Sequence, residues 1–218
     1  MAAAVLTISS KNYSSWSLRG WLLCKMAGIA FEEQTMPIDD PDTRAELLLL
    51  SPSVLVPRLE DGAAKVWDTL SIGEYLNETH PEAGLLPADP VARAHCRSIS
   101  GEMHSGFANL RSALPMNIKA HYEKYRIFAG ALQDIERVTQ IWRECLSTYG
   151  GPFLFGARPT LADAMYAPVC ARFRTYSAPL DAQSAAYRDM ILNWAPMQEW
   201  IAAAREEKED LEELDVEF

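Results

Sequence analysis

The spacing of apolar residues changes several times across the first eighty positions, and each change marks an element. Val5–Ile8 is a short β-rich run followed by serine and asparagine. From Ser15 to Ala27 apolar residues recur at Leu18, Leu22 and Met26 with Trp21 beside them, which is helical spacing. Gly28 then stands where a left-handed C-terminal cap is expected. Phe31–Met36 reads as a strand ending at Pro37, and Asp42–Leu50 as a short helix stopped by Ser51-Pro52. Val56–Leu59 and Lys65–Trp67 flank Asp61-Gly62, a hairpin signal, and Ser71–Asn77 is helical again. The order β-α-β-α-β-β-α predicts an α/β domain over residues 1–80, a mixed sheet with helices on its faces.

Residues 81–90 carry Pro81, Pro87 and Pro90 in a polar stretch and read as a linker. No strand-like alternation follows. Helical patterns run over Val91–Leu114, Tyr125–Thr148, Leu161–Tyr176 and Ser184–Ile201, so residues 91–218 are expected to form an all-α domain ending in an acidic tail.

Composition narrows the function. The 218 residues are 49% hydrophobic, enough to bury a core, yet no apolar run approaches the ~18–20 residues of a membrane span, so no membrane partner is expected. A formal charge of -10 argues against a nucleic-acid partner. Cys24, Cys96, Cys145 and Cys170 are scattered without metal-like spacing, which reads as free thiols, no bound metal and a reducing compartment. The start, MAAAVLTISSKNYSSW, lacks the n-region and longer apolar h-region of a secretory signal, and a cytoplasmic location is expected.

Candidate chemistry lies at junctions. Asn12-Tyr13-Ser14-Ser15-Trp16-Ser17-Leu18-Arg19 joins the first strand to the first helix, where free N–H groups and the helix dipole favour an anion. A serine there either caps the helix or donates its hydroxyl to a bound anion, and both readings stay open. Ser14 and Ser17 occupy positions where a dithiol redox protein carries cysteines, so exchange through a cysteine pair is excluded. In Ser51-Pro52-Ser53-Val54-Leu55-Val56-Pro57 the proline opening a strand is either an ordinary trans edge residue or part of a cis bond presenting the Val56 backbone to a ligand. Asp68-Thr69 is a strand-to-helix junction with capping residues, and Thr160…Asp163 suits a capping box at a helix start.

In this order and spacing, these segments resemble the cytosolic glutathione S-transferase family over essentially the whole chain. The serine-led segment is most similar to zeta-like and related bacterial serine-type classes. The resemblance implies a thioredoxin-like domain, an all-α domain and a homodimer. It also implies glutathione as co-substrate, its thiolate conjugated to a small-molecule electrophile; the alternatives are a maleylacetoacetate isomerase-like activity and a non-catalytic binding protein on the same fold. Ser14 matches the hydroxyl that stabilises the thiolate, with Ser15 its neighbour and substitute. Val56 matches the backbone partner of the cysteinyl part, Pro57 the cis-proline, and Asp68 and Thr69 the pair holding the γ-glutamyl end.

The electrophile is then expected between the domains, against Tyr13, Trp16, Met103, His104, Phe107, Arg111 and Met116, with His104 and Arg111 on one side of a single long helix. Two departures stand out: zeta-like enzymes have Cys where this chain has Trp16, and Val54-Leu55 replaces the polar or basic residue that often precedes Val-Pro. Lys11, Arg19 and Arg58 are candidates for the glycine carboxylate of glutathione. Partitioned, the charge is -5 over residues 1–80, -6 over 205–218 and +1 between them, so the acidic total does not oppose an anionic ligand held by backbone N–H groups. The final run is expected to be a solvated end.

Overall fold

The computed structural model describes residues 4–37, 40–47, 56–208 and 211. Four strands, β1 (Ala4–Ile8), β2 (Phe31–Thr35), β3 (Arg58–Asp61) and β4 (Ala64–Trp67), form one sheet in the order β2-β1-β3-β4. β1 runs parallel to β2, with Leu6 opposite Glu33, and antiparallel to β3, with Leu6 opposite Leu59. Gly62, at φ 60°, makes the turn that lets β3 return as β4. Helices α1 (Ser15–Ala27), α2 (Pro41–Leu47) and α3 (Thr69–Thr79) complete the thioredoxin-like βαβαββα domain. Gly28 ends α1 in the left-handed conformation, its N–H donating to Lys25 O at 3.1 Å, as the sequence predicts. The expected extension of α2 to Leu50, and residues Ser51–Leu55, lie outside the described residues.

After a single 3₁₀ turn at Pro81–Ala83 the helical domain begins. It contains α4 (Pro90–Ser105), α5 (Ala108–Ala113), α6 (Ala129–Tyr149), α7 (Leu161–Thr175), α8 (Ala182–Asn193) and α9 (Ala195–Glu206). The predicted single helix over 91–114 is in fact two. Gly106 caps α4, its N–H donating to Glu102 O at 2.9 Å, and Phe107 turns the chain at φ 61°. Apolar periodicity continues through the break because both pieces bury residues in the same core, among them Met103 and Leu110. The pattern over 184–201 likewise hides a boundary at Trp194, with Pro196 in the first turn of α9. None of the described helices is long and apolar enough to cross a membrane.

The domains meet along α1, which packs on α3 and α7. α7 is buried at every residue but Arg174. Its start carries the expected capping box, Thr160 N–H donating to Asp163 Oδ2 at 2.8 Å. The acidic end is not wholly solvated: Glu207 is half-buried and Leu211 is fully buried. All four cysteines are buried. Burial pushes the Cys96 thiol up to about 11 and Cys145 up to about 12, with Cys24 and Cys170 also raised.

Candidate active site

The chain leaves β1, crosses a loop at Ser10–Tyr13 and enters α1 through two serines that are used differently. Ser14 is the N-cap: its Oγ accepts from Ser17 N–H at 3.2 Å and donates to Ser17 Oγ at 2.9 Å. Ser17 Oγ also accepts from Ser9 N–H at 3.0 Å, so the Ser14 hydroxyl belongs to a closed local network. Ser15 Oγ accepts from Arg19 Nη1 and from Arg172 Nη2, each at 3.3 Å, and its own O–H has no acceptor among the described residues. Of the two serine hydroxyls, that of Ser15 is the one without a described acceptor.

Three arginines surround this helix end. Arg19 (α1) donates from Nε to Met165 O at 2.9 Å and from Nη1 to Ser15 O at 3.3 Å. Arg172, in the last turn of α7, donates from Nη1 to Leu114 O and, at 3.2 Å, to Arg111 O. Arg111 (α5) turns back on the end of α4, donating to Gly106 O at 3.0 Å, to Met103 O and to His104 O. The guanidinium groups of Arg19 and Arg111 lie 4.7 and 4.9 Å from the Trp16 ring centre.

Among the described residues no carboxylate pairs with any of the three. Burial, then repulsion from Arg111 and Arg172, lowers the Arg19 pKa. Burial and Arg111 push Arg172 down to about 9, and burial alone takes Arg111 to about 10. Clustered cations without a counter-charge are costly, and an anion among them relieves that cost.

The other arm of the site lies on β4 and α3. Asp68, held at φ 73°, caps α3 by accepting from Leu70 N–H at 2.8 Å and Ser71 N–H at 3.4 Å, while its second carboxylate oxygen pairs with His104 Nε2 from α4. Thr69 is buried and its Oγ1 has no hydrogen-bond partner among the described residues. The Val56-Pro57 bond is cis. A Cβ at Gly20 would lie 2.7 Å from Pro57 Cβ, so glycine in the middle of α1 is what lets this loop approach so closely.

The helix break corrects the expectation for His104 and Arg111. They do not share a helix face; His104 bridges the domains to Asp68, and Arg111 stacks on Trp16. The ring of His104 also meets Trp16 edge-on, with centres 5.1 Å apart. Met103, Phe107 and Met116 belong to the hydrophobic core, and Tyr13 is buried, its hydroxyl accepting from Leu211 N–H at 3.0 Å. Of the proposed cations, Lys11 is paired with Glu33 at 2.5 Å and Arg58 with Glu60 at 2.9 Å, which leaves Arg19 without an acid. Arg172 escaped the sequence reading. Its signal was present: it lies three and seven residues after Val169 and Met165, in register with apolar positions of a buried helix.

The sequence matches the family profile "Glutathione S-transferase, N-terminal domain" over residues 13–79 and "Glutathione S-transferase, C-terminal domain" over residues 117–205. A probable maleylacetoacetate isomerase of Caenorhabditis elegans is 29% identical over 162 residues, 73% of each chain. A glutathione transferase homologue from Burkholderia gl BGR1, solved with bound glutathione, superposes with a TM-score of 0.69 at 20% identity, covering 94% of this chain and 98% of that one. A maleylacetoacetate isomerase from Anaeromyxobacter dehalogenans, solved with dicarboxyethyl glutathione and citrate in its active site, gives 0.63 at 23% identity, covering 92% of each. With both domain profiles matched in the expected order, the chain belongs to the glutathione S-transferase family.

Proposed function

We propose that this protein binds glutathione at the N-terminus of α1 and delivers its thiolate to an electrophilic carbon in a small molecule that carries carboxylate groups. The observation that carries the reading is the arginine trio, Arg19, Arg111 and Arg172, gathered at Ser15 and Trp16 without a described acidic partner. The residues fit glutathione as substrate. The hydroxyl of Ser15 is available as a donor, and the Oγ1 of Thr69, beside Asp68, lacks a partner among the described residues. Val56 precedes the cis-proline where the family pairs its backbone with the tripeptide. A free thiol has a pKa of ~8.5, and a helix N-terminus with a hydroxyl donor and nearby cations brings it toward ~6–7. The thiolate is the nucleophile, so holding it ionised is the main catalytic act.

For an enone diacid the thiolate forms the C–S bond, and the displaced π pair moves onto the carbonyl oxygen as an enolate beside the guanidinium groups. Rotation about the carbon–carbon bond, now single, followed by return of the electron pair, expels the thiolate and leaves the other geometric isomer with no net proton consumed. This isomerase outcome is favoured by the arginines and by the relatives that bear that name. The second reading is conjugation, in which the enolate takes a proton and the adduct leaves; Trp16, in the place of the zeta-like cysteine, favours it as a departure from the isomerase-like pattern.

Calorimetry with glutathione, followed by assay of a cis-enone diacid beside a neutral arylating electrophile, tests both readings. Isomerisation without net loss of glutathione is expected. Absence of binding at millimolar glutathione, or turnover of the neutral compound alone, would sink the proposal.

A further inference from the structure

We infer that Glu207 is a positioning residue, latching the C-terminal segment onto the loop that leads into α1 and so fixing the helix end where Ser14 and Ser15 stand. Its carboxylate is received as an anion. Oε1 accepts from Lys11 N–H at 2.5 Å, and Oε2 accepts from Asn12 N–H at 3.0 Å and from Ser10 Oγ at 2.8 Å. Two successive backbone N–H groups and a hydroxyl form a concavity suited to one negative charge, filled from almost two hundred residues away along the chain. The nearby ammonium of Lys11 is engaged with Glu33, at 2.5 Å.

The contacts on either side strengthen the latch. Trp200 Nε1, from α9, donates to Lys11 O at 2.9 Å, and Lys119 Nζ donates to the backbone oxygen of Glu207 at 2.6 Å. Beyond it, Leu211 is fully buried and its N–H donates to Tyr13 OH at 3.0 Å. Each residue from Ser10 to Tyr13 is therefore bonded to the segment between Trp200 and Leu211. Ser10 relays the hold inward: its Oγ accepts from Asn12 N–H at 3.1 Å and Tyr13 N–H at 3.2 Å, and its carbonyl accepts from Ser14 N–H at 3.0 Å. That last bond ties the N-cap residue of α1 to the loop. Nothing in the acidic composition of the tail singles out Glu207; only its seat on the loop does.

A glutamine at 207 turns one acceptor into an NH₂ group facing backbone donors, and the loop loses its anion. The catalytic consequence rests on the function proposed above; the structural one does not. The experiment compares the full-length protein with Glu207→Gln and Glu207→Asp in two measurements. The first is hydrogen exchange at the Lys11–Trp16 amides without glutathione. Exchange there should quicken about tenfold or more in Glu207→Gln with the α6 and α7 amides unchanged, and less in Glu207→Asp, which keeps the charge.

The second measurement is the pKa of glutathione's thiol in the bound state, with kcat and KM. The pKa should rise by about one unit in Glu207→Gln, with kcat at neutral pH falling about threefold and the KM for the electrophile within about twofold. Unchanged exchange at Lys11–Trp16 would overturn the latch, as would uniform loosening of α6 and α7 with it. Faster exchange with an unchanged thiol pKa would overturn the positioning role. Faster exchange in a protein that binds no glutathione would support the latch while defeating the proposed function.

Discussion

Helix α7 buries an acid in its first turn and a base in its last, and their surroundings are opposite. Asp163 accepts from Thr160 N–H at 2.8 Å and from Leu154 N–H, Thr160 Oγ1 and Tyr187 OH, each at 3.0 Å. Burial raises its pKa, and these four donors pull it back. Among the described residues Arg172 has only neutral acceptors, the carbonyls of Arg111 and Leu114 and the hydroxyl of Ser15, and it sits near two more cations. Both charges lie at the end of the helix that the dipole favours, so the dipole does not distinguish them. The distinction lies in what closes each network. The protein completes Asp163 itself, as a structural device must; it gathers like charges around Arg172 and supplies no described opposite, the place that the proposed function gives to an acidic ligand.

The sharpest break in this comparison is Asp163→Ala. It orphans buried donors on three separate residues, and an expected loss on the order of 3 kcal/mol or more is read from the midpoint of denaturant unfolding. Any protein that remains folded should keep its preference among electrophiles. Arg172→Met is the converse. It removes a charged hydrogen-bond donor of about 1.5–3 kcal/mol, so kcat/KM for an acidic electrophile should fall roughly ten- to a hundredfold. Stability should stay within about 1 kcal/mol, because an apolar group of similar volume avoids burying charge. Equal loss for acidic and neutral electrophiles would refute the reading of the trio.

The smallest effects separate the two serines. Ser15→Ala should raise the bound thiol's pKa by about one unit, worth ~1.4 kcal/mol. Ser14→Ala should instead cost about 1 kcal/mol of stability through the lost cap, with a smaller thiol shift. Spectral titration of the thiolate beside thermal melts checks both, and a reversed pattern would return the sulfur contact to Ser14.

Local signals made most of the fold legible. The strand-to-helix entry at Ser14, the glycine cap at Gly28, the Asp61-Gly62 turn and the Thr160…Asp163 box are each written in adjacent residues. The misread boundaries, at Gly106-Phe107 and Trp194, lie where the apolar period continues across a break because both pieces face one core. The site was legible only where it coincides with an element's end. Ser15 and Arg172 are 157 residues apart in sequence, and Lys11 and Glu207 are 196 apart. No periodicity encodes contacts of that range; they exist only once α7 and the C-terminal segment have packed on α1.

The buried cysteines have a practical meaning for a protein of this family. Reactive electrophiles alkylate exposed thiolates, yet every thiol of this chain is shielded, and burial holds each one protonated at neutral pH. An electrophile reaching Ser15 would thus meet no exposed cysteine thiol of the chain, and the activity proposed above would spare the polypeptide. The same shielding makes the wild-type chain a ready background for site-selective labelling: a single cysteine introduced on an exposed helix face would be the one thiol that reacts quickly.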